Sequence, residues 1–461
     1  DEVSFTAHVS EQPMARLYYI LRGSSGVQLP DGDARRELDA AVADAVLTWE
    51  ERLVRTAHGA LGHDVAAGLL QSWIGGFPVD YTDDFEPAQA VADLKNLVTL
   101  GEGTPFACAL YDPRRGHGGG EDPRIRRFKL FSIEELILDE LMPTFRDLGV
   151  RVIEEEPYTL TRADGVSAGI YDLSLRVADP AVWEAHSHEH LRELVESAVL
   201  AVHAGRTESD GLNALIIRSG LTWRQVGLLR AIGRYLRQAG SSWGQTSLEA
   251  ALVDNHEIAA DIVTLFETRF DPQTHDGIAA EARAAQEQEI TARIESALEG
   301  VSSLEHDRII RAYLGVIAAT LRTSYFVRDG EGQPLSRMSF KIEPGKVPDM
   351  PKPHPAFEIW VHSPQVEGVH LRFGAVARGG LRWSDRRDDF RTEVLGLVKA
   401  QMVKNAVIVP TGSKGGFYGK QLPDPSVDRE AWMEAGRSAY RAFISGLLDV
   451  TDNRVDGGIV P

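Results

Sequence analysis

The chain has 461 residues, of which 43% are apolar and 25% charged, and its formal net charge is −19. This length exceeds a single ordinary hydrophobic core and predicts several domains. The acidic balance excludes nucleic acid as an expected partner, because phosphate binding needs a basic face. No apolar run is long enough to span a bilayer, and residues 1–5 lack the start of a secretory leader. We therefore expect a cytoplasmic protein without a membrane partner.

The single cysteine, Cys108, excludes an internal disulfide and any metal site built from several cysteines. Its neighbours are apolar, so we expect a small buried side chain. The chain starts at Asp1 rather than at methionine and stops at Pro461 within an apolar segment. These ends are typical of a piece of a longer polypeptide.

The N-terminal quarter reads as strands followed by helices. Residues 3–22 have strand composition, and Asp33 is a candidate N-cap for a helix. The apolar residues that follow are spaced for one helix face, at Leu38, Val42, Val46, Trp49 and Leu53. We expect a helical segment over residues 31–104, interrupted before Pro78.

Residues 105–180 are predicted to form a small α/β module of the βαβ type. A strand at 127–131 precedes a capping box at Ser132–Glu135, which predicts a helix that Gly149 ends. The remaining strands are expected at 150–154 and 171–177. The module is either an effector site or a spacer, because a fold by itself does not define a function.

A helical pattern resumes over residues 181–326, and residues 327–461 alternate strands and helices as an α/β domain does. Strands are expected at 357–362, 369–377 and 407–409. Helices are expected to begin after Ser384 and after Asp428. The fold class predicted for the whole chain is multidomain, of mixed α+β and α/β type.

Lysine is scarce and clustered: nine lysines stand against forty arginines. Four of the nine fall in one short stretch, at Lys399, Lys404, Lys414 and Lys420. Where arginine is the default cation, a retained lysine indicates chemistry that a guanidinium cannot perform, because an amine can lose its proton. Lowering a lysine pKa from ~10.4 to the ~7–8 useful for proton transfer takes about 4 kcal/mol, which neighbouring cations and burial can supply.

Three segments of the last domain are predicted to meet. Arg378–Arg382 ends a strand, Gln401–Lys404 ends a helix, and Thr411–Gly416 follows the next strand. Ligand sites in open α/β sheets form at the carboxyl ends of strands, and paired glycines let the backbone approach a ligand. The three segments would place two ammoniums and a guanidinium around a small polyanion. Lys414, flanked by glycine, is the candidate catalytic amine, and Lys404 would hold a carboxylate.

Simpler interpretations stand beside this one. A lone Ser-Lys-Gly-Gly is usually a solvated turn, but three segments in order and spacing favour a site. Residues 411–416 fail the spacing of a phosphate loop, and Lys399 and Lys420 are expected to be surface charges. Three histidines, at 186, 188 and 190, are expected to start a solvated helix, and we predict no metal site.

These motifs resemble the substrate domain of glutamate dehydrogenases. That family has a Lys-Gly-Gly-Leu-Arg segment, a Gln-Met-x-Lys helix and a glycine-flanked lysine. Here they stand at Arg378–Arg382, Gln401–Lys404 and Ser413–Gly416. Trp383–Arg387 and Pro410–Phe417 resemble the large bacterial NAD-dependent enzymes in particular. The match is tight over 335–461 and looser upstream, where the chain resembles that family's N-terminal extension with its ACT-like modules.

The resemblance implies that Lys414 is the catalytic lysine, which stabilises or deprotonates the water that attacks an iminium. It implies that the α-carboxylate end of glutamate is held by Gly379, Gln401, Met402 and Lys404, together with Arg378. Arg378 departs from the lysine of smaller relatives. A guanidinium also grips a carboxylate, but with a different geometry.

The implied activity is oxidative deamination of L-glutamate to 2-oxoglutarate and ammonia by a homo-oligomer, with NAD as cofactor and an amino acid as allosteric effector. The resemblance also implies an NAD domain and a catalytic aspartate, and both are expected beyond residue 461. No G-x-G-x-x-G occurs in the sequence, as expected if the NAD domain lies there. This chain alone is then expected to be inactive. The implied domains are the end of an ACT-like unit (1–30), a helical segment (31–104), an ACT-like module (105–180), a helical domain (181–326) and a substrate domain (327–461). The competing hypothesis is a non-catalytic scaffold whose α/β module senses an amino acid.

Overall fold

The structure, a computed structural model, is a mixture of helix and sheet. It describes residues 2–9, 15–22, 31–101, 103–112, 122–275, 280–374, 379–404, 412–451, 453–455 and 458–460. The chain divides into two compact units, residues 1–95 with 162–164 and residues 96–161 with 165–461. Among the described helices, none combines the length and the apolar composition that crossing a membrane requires.

The first unit contains a hairpin and a series of helices. Strands β1 (Glu2–Val9) and β2 (Ala15–Arg22) pair antiparallel, with Glu2 opposite Arg22. The helices are α1 (Gly32–Ala45), α2 (Trp49–Leu61), α3 (His63–Trp73), α4 (Val79–Asp84) and α5 (Pro87–Leu97), the last of which runs past the end of the unit.

The apolar stripe predicted for one helix is divided between α1 and α2. Thr48 caps α2 and forms a capping box with Glu51: the Glu51 amide donates to the Thr48 hydroxyl (3.2 Å), and the Thr48 amide donates to the Glu51 carboxylate (2.8 Å). Leu53 is buried, whereas Leu38 is 51% exposed. The predicted N-cap Asp33 lies inside α1, so that detail of the prediction is wrong.

The α/β module opens the second unit. Its four strands and one helix are β3 (Phe106–Tyr111), β4 (Ile125–Ser132), α6 (Leu138–Asp147), β5 (Arg151–Thr161) and β6 (Ser167–Arg176). The strand order is β3-β4-β6-β5, and every pairing is antiparallel. Strands β4 and β5 are therefore parallel to each other but separated by β6, which is a split βαβ arrangement.

The predicted capping box at Ser132 does not form. Ser132 is the last residue of β4, and its hydroxyl accepts a hydrogen bond from the Glu134 amide (3.0 Å) in a turn that precedes α6. Gly149 does follow the helix, as predicted, with a φ of +82° that favours glycine. Cys108 is buried, as expected, and its burial raises the pKa of the thiol.

Helices fill the middle of the second unit. They are α7 (Ala181–Glu184), α8 (His188–His203), α9 (Ala214–Ser219), α10 (Trp223–Gln238), α11 (Gln245–Asp254), α12 (His256–Phe270), α13 (Pro272–His275), α14 (Ala280–Leu298) and α15 (Leu304–Ala319). Ser187 caps α8, so His188 and His190 lie in its first turn. Short 3-10 turns occur at Gly211–Asn213 and Pro344–Lys346.

A six-stranded sheet with two helices completes the unit. Its elements are β7 (Thr320–Thr323), β8 (Met338–Ile342), β9 (Phe357–His362), β10 (Val366–Arg372), β11 (Leu381–Trp383), α16 (Phe390–Lys404), β12 (Ser413–Gly419) and α17 (Arg429–Leu448), followed by the hairpin β13 (Asn453–Val455) and β14 (Gly458–Val460). The strand order is β11-β12-β10-β9-β8-β7. Only β11 and β12 are parallel, because helix α16 connects them as a crossover.

Strand β9 has the predicted bounds, and Asp428 caps α17 as predicted, accepting from the Ala431 amide at 2.8 Å. Helix α16 begins at Phe390 rather than after Ser384, whose hydroxyl donates to Glu393 instead (2.7 Å). The predicted strand at 407–409 lies outside the described residues.

One hydrophobic core joins the three regions of the second unit. It includes Phe128 of the α/β module, Leu228 of α10 and Val369 of β10. The buried Trp360 indole donates to the Ala231 carbonyl (3.0 Å), which links β9 to α10. The helices and the six-stranded sheet therefore stabilise each other.

A buried ion pair fixes helix α16 on the sheet. The Arg391 guanidinium donates to both carboxylate oxygens of Glu358 on β9, each at 2.7 Å, and neither side chain is more than 1% exposed. Burial opposes the charge on Arg391, but Glu358 outweighs this effect and raises the pKa of the guanidinium. Gln238 of α10 accepts from the Arg391 amide (3.2 Å) and donates to the Arg387 carbonyl (2.8 Å).

We expect Glu358→Gln to lower the free energy of unfolding by about 3–5 kcal/mol, because it leaves a buried guanidinium without its counter-charge. The matched control is Glu434→Gln on α17, which removes an exposed pair with Arg437 and should cost at most about 1 kcal/mol. Urea denaturation measures both. Equal costs for the two variants would contradict the role assigned to the buried pair.

Candidate functional site

Lys414 lies in a strand and not in the loop that the sequence suggested. From Ser413 onward the segment is β12, paired with β10 on one side and with β11 on the other. Its glycines serve close packing. A Cβ on Gly415 would lie 2.4 Å from Leu381, and one on Gly416 would lie 2.4 Å from Val394 of α16. Glycine is thus required here because neighbouring side chains leave no room for a Cβ, and not because the backbone turns.

The backbone at Gly379 passes directly against β12. A Cβ on Gly379 would lie 1.5 Å from the Ser413 carbonyl oxygen, so no side chain fits there. The Gly415 amide donates to the Gly380 carbonyl (3.3 Å). The Lys414 Nζ lies 3.8 Å from the position that a Cβ on Gly380 would take. The Lys414 ammonium therefore lies beside the Gly380 backbone.

Gln401 joins this arrangement from α16. Its side-chain oxygen accepts a hydrogen bond from the Ser413 amide (3.3 Å), immediately before Lys414. The register of β12 places Lys414 opposite Leu371 and on the same face as Gly416, which packs on α16. The last turn of α16 and the start of β12 thus lie side by side.

The structure brings together three of the predicted site residues: Gly379, Gln401 and Lys414. Arg378 lies outside the described residues. Met402 and Lys404 belong to the last turn of α16, and their side chains also lie outside the described part. The predicted cluster of three cations therefore stays a prediction, with Lys414 as the cation whose position is described.

Of the two lysines predicted to be surface charges, Lys399 is exposed but Lys420 is not. The Lys420 side chain is 9% exposed, and its Nζ lies 2.6 Å from Glu208 and 2.9 Å from Glu367. It also donates to the Ser363 carbonyl (2.9 Å). The prediction fails because Glu208 is far away in sequence, and its carboxylate needs a cation once it is buried.

Glu208, Glu367 and His362 are residue types that bind metal ions, and in the described chain their donor atoms lie within 4.8 Å of one another. Lys420 donates a hydrogen bond to Glu208 and forms an ion pair with Glu367, so it supplies the positive charge that both carboxylates need. Burial raises the pKa of Glu208, but His362 and Lys420 outweigh it and lower that pKa. Burial and then Lys420 lower the pKa of His362. The cluster is an internal ion network between the 204–210 loop and the sheet.

His370 was given no role by sequence analysis, yet it lies beside the site. It is opposite Gly415 in the sheet, and its Nε2 lies 3.4 Å from the Ser413 hydroxyl. Burial and then the charge of Arg372 lower the pKa of this imidazole to about 4. A histidine within an otherwise apolar strand is the signal that could have pointed to it.

The chain is similar to known proteins over nearly its whole length. The model of the family described as bacterial NAD-glutamate dehydrogenase, catalytic domain, matches residues 293–461. Curated NAD-specific glutamate dehydrogenases of Halomonas elongata and Pseudomonas aeruginosa are 41% and 40% identical over 99% and 100% of the chain. That of Mycobacterium tuberculosis is 39% identical over 98%. Over nearly its whole length the chain is similar to a segment of these bacterial NAD-specific glutamate dehydrogenases. It spans 27–28% of the length of these three relatives.

Three further models of glutamate dehydrogenase regions match upstream. They are helical motif 2 (residues 57–100), the ACT3 domain (105–188) and helical motif 3 (207–272). The catalytic-domain match begins inside α14 and includes the whole six-stranded sheet. Every predicted site residue falls within residues 293–461, the part of the chain that the catalytic-domain model matches.

Gly379→Ala should destabilise the chain by about 1–3 kcal/mol, because a Cβ displaces β12 or the segment that carries Gly379. Gly396→Ala on α16 is the control. A Cβ there meets nothing within 4 Å, and alanine should stabilise the helix by up to about 1 kcal/mol. Thermal unfolding distinguishes the two. A Gly379→Ala chain as stable as the control would show that the approach to Ser413 is not tight.

His370 predicts a pH dependence of stability. Its pKa is about 4 in the folded chain against a reference value of 6.5, so between these values the unfolded chain binds more protons. Stability should therefore fall as pH falls from about 6.5 to about 4, with about 3 kcal/mol contributed by this group.

His370→Gln should flatten that slope in denaturant titrations between pH 7 and pH 4. His190→Gln replaces an exposed histidine and serves as the control, with an unchanged slope. An identical slope in wild type and His370→Gln would contradict a buried, neutral imidazole.

Proposed function

We propose that this chain is the substrate-binding part of an NAD-dependent enzyme that oxidatively deaminates L-glutamate to 2-oxoglutarate and ammonia. The observation that carries the proposal is the Lys414 ammonium, which lies beside the Gly380 backbone. The amide of the preceding residue, Ser413, donates to the side chain of Gln401, so a charge, backbone groups and a side-chain amide belong to neighbouring segments. The match to the catalytic-domain model and the names of the relatives support the same activity.

The α-carboxylate end of glutamate is proposed to bind at Gly379, Gln401, Met402 and Lys404, with Arg378 as a further carboxylate ligand. The close approach of Gly379 to β12 supports this, because it leaves the backbone beside Lys414 uncovered by any side chain. A carboxylate there is attracted by the Lys414 ammonium and by the other cations proposed for the site.

Lys414 is proposed as the group that moves the proton during hydrolysis of the substrate iminium. Loss of hydride from the Cα of glutamate leaves an iminium, and attack by water then needs a base at the water oxygen. NAD, when bound, accepts that hydride. The neutral amine of Lys414 takes one water proton as the C–O bond forms and passes it to the nitrogen of the carbinolamine. The C–N bond then breaks, the hydroxyl proton goes to the Lys414 amine, and 2-oxoglutarate and ammonia leave. We place NAD binding outside this chain, since its sequence contains no dinucleotide fingerprint, and the resemblance places the catalytic aspartate there too.

The α/β module is proposed to be ACT-like and to bind an amino-acid effector. Its split βαβ arrangement and the match to a model described as an ACT3 domain support the fold assignment. The domain ranges given by the resemblance stay our proposal for the whole chain. A cytoplasmic homo-oligomer rests on the same resemblance.

We expect Lys414→Arg to lower kcat by about 10²–10⁴-fold in the complete enzyme that carries this segment, because a guanidinium keeps the charge but cannot exchange its proton. Binding of 2-oxoglutarate, measured as product inhibition, should change far less. Lys399→Arg, at an exposed position on α16, is the control and should leave kcat unchanged.

The same experiment distinguishes a catalytic role of Lys414 from the competing hypothesis. If the chain is a non-catalytic scaffold that senses an amino acid, Lys414→Arg should turn over glutamate like wild type. Unchanged kcat in this variant, with normal thermal stability, would therefore refute the catalytic assignment of Lys414.

A further inference from the structure

A cleft of about 610 Å³ lies in the second unit, away from Lys414. Its walls are the end of α10, the loop 240–244, one face of α15 and residues 347–349. The predicted site residues whose side chains are described, Gln401 and Lys414, do not line it. The proposed activity does not use this cleft.

One wall of the cleft is cationic. Arg308 and Arg311 are three residues apart on α15 and so lie on the same side of the helix. Arg311 is paired with Asp307 (3.0 Å). For Arg308 we find no hydrogen bond or ion pair within the described residues, so its charge is open to a ligand. Asp349, on the opposite wall, is exposed.

A hydroxyl in the cleft lacks a partner. The Ser241 Oγ is buried and makes no hydrogen bond among the described residues. Leaving a buried hydroxyl unpaired costs stability, whereas alanine would avoid that cost. The Gly240 turn explains the chain path here, because Gly240 has a φ of +95°, but it does not explain the hydroxyl. A ligand that hydrogen-bonds to Ser241 does explain it.

The remaining walls are apolar and rigid. Leu236 and Val347 are buried, and Trp243 is partly buried against the core. Pro348 packs closely on α15, where a Cβ on Gly315 would lie 2.5 Å from its ring. Such a surface accepts the flat or apolar body of a small molecule.

We propose that this cleft binds a small organic anion. Its oxyanion pairs with Arg308 and accepts the Ser241 hydroxyl, and its apolar or aromatic body packs on Trp243 and Leu236. The shared chemistry is an oxyanion on an apolar scaffold, which either a carboxylate or a phosphate ester provides.

Calorimetry on the 461-residue chain tests this with three probes: phenyl phosphate, benzoate and inorganic phosphate. We expect saturable binding of at least one aromatic probe, and weaker binding of inorganic phosphate, which lacks the apolar body. The stronger of phenyl phosphate and benzoate identifies the oxyanion. Saturable binding of none of the three, or an affinity for inorganic phosphate equal to that for the better aromatic probe, would overturn the proposal.

Three variants locate the site. Arg308→Gln should lower the affinity for the tighter-binding aromatic probe by about tenfold, because it removes a charge-assisted hydrogen bond. Ser241→Ala should also weaken it, without lowering the melting temperature of the ligand-free chain. Arg218→Gln changes an exposed arginine on α9, outside the cleft, and should bind like wild type. Equal affinity in Arg308→Gln and Arg218→Gln would place the ligand elsewhere and refute the assignment.

Discussion

Helix α16 is held on the sheet by the buried pair between Arg391 and Glu358, and the geometry of the candidate site depends on that helix. Two charges removed from water are tolerated only because both guanidinium–carboxylate hydrogen bonds are 2.7 Å long. Gln238 adds a further anchor from α10. With its first turn fixed in this way, α16 presents Gln401 to the Ser413 amide. The helical region thus supports the site without contributing a side chain to it.

The site itself is built by close backbone approach. Gly379, Gly415 and Gly416 stand where a Cβ would collide with a neighbour at 1.5–2.4 Å. The glycines let β11, β12 and α16 pack closely enough for the Lys414 ammonium to lie beside bare backbone. Catalytic groups need such positioning, because small displacements of a reacting group cost large factors in rate. In a strand without such close neighbours, the same glycines would only lower the stability of the strand.

Lys414 and Lys420 are six residues apart, and their charges have different surroundings. Lys420 is buried and paired with Glu208 and Glu367, so its charge is used within the fold. Lys414 is only partly buried, and within the described residues its ammonium lies beside backbone rather than beside a carboxylate. Charge that is already compensated cannot serve a substrate anion, whereas charge beside open backbone can. The contrast supports Lys414 as the functional lysine of the cluster.

Much of this protein follows from local sequence. Gly149 ends α6, Asp428 caps α17, and the bounds of β9 follow from a short run of mostly apolar residues, because neighbours along the chain decide each of them. The motifs around Gly379, Gln401 and Lys414 also pointed to one place before any fold was known. Only the tertiary structure decided that 413–416 is a strand, that Lys420 is buried and that His370 lies beside Ser413. Each of these depends on residues distant in sequence, such as Glu208 or Leu381, whose approach no local pattern encodes.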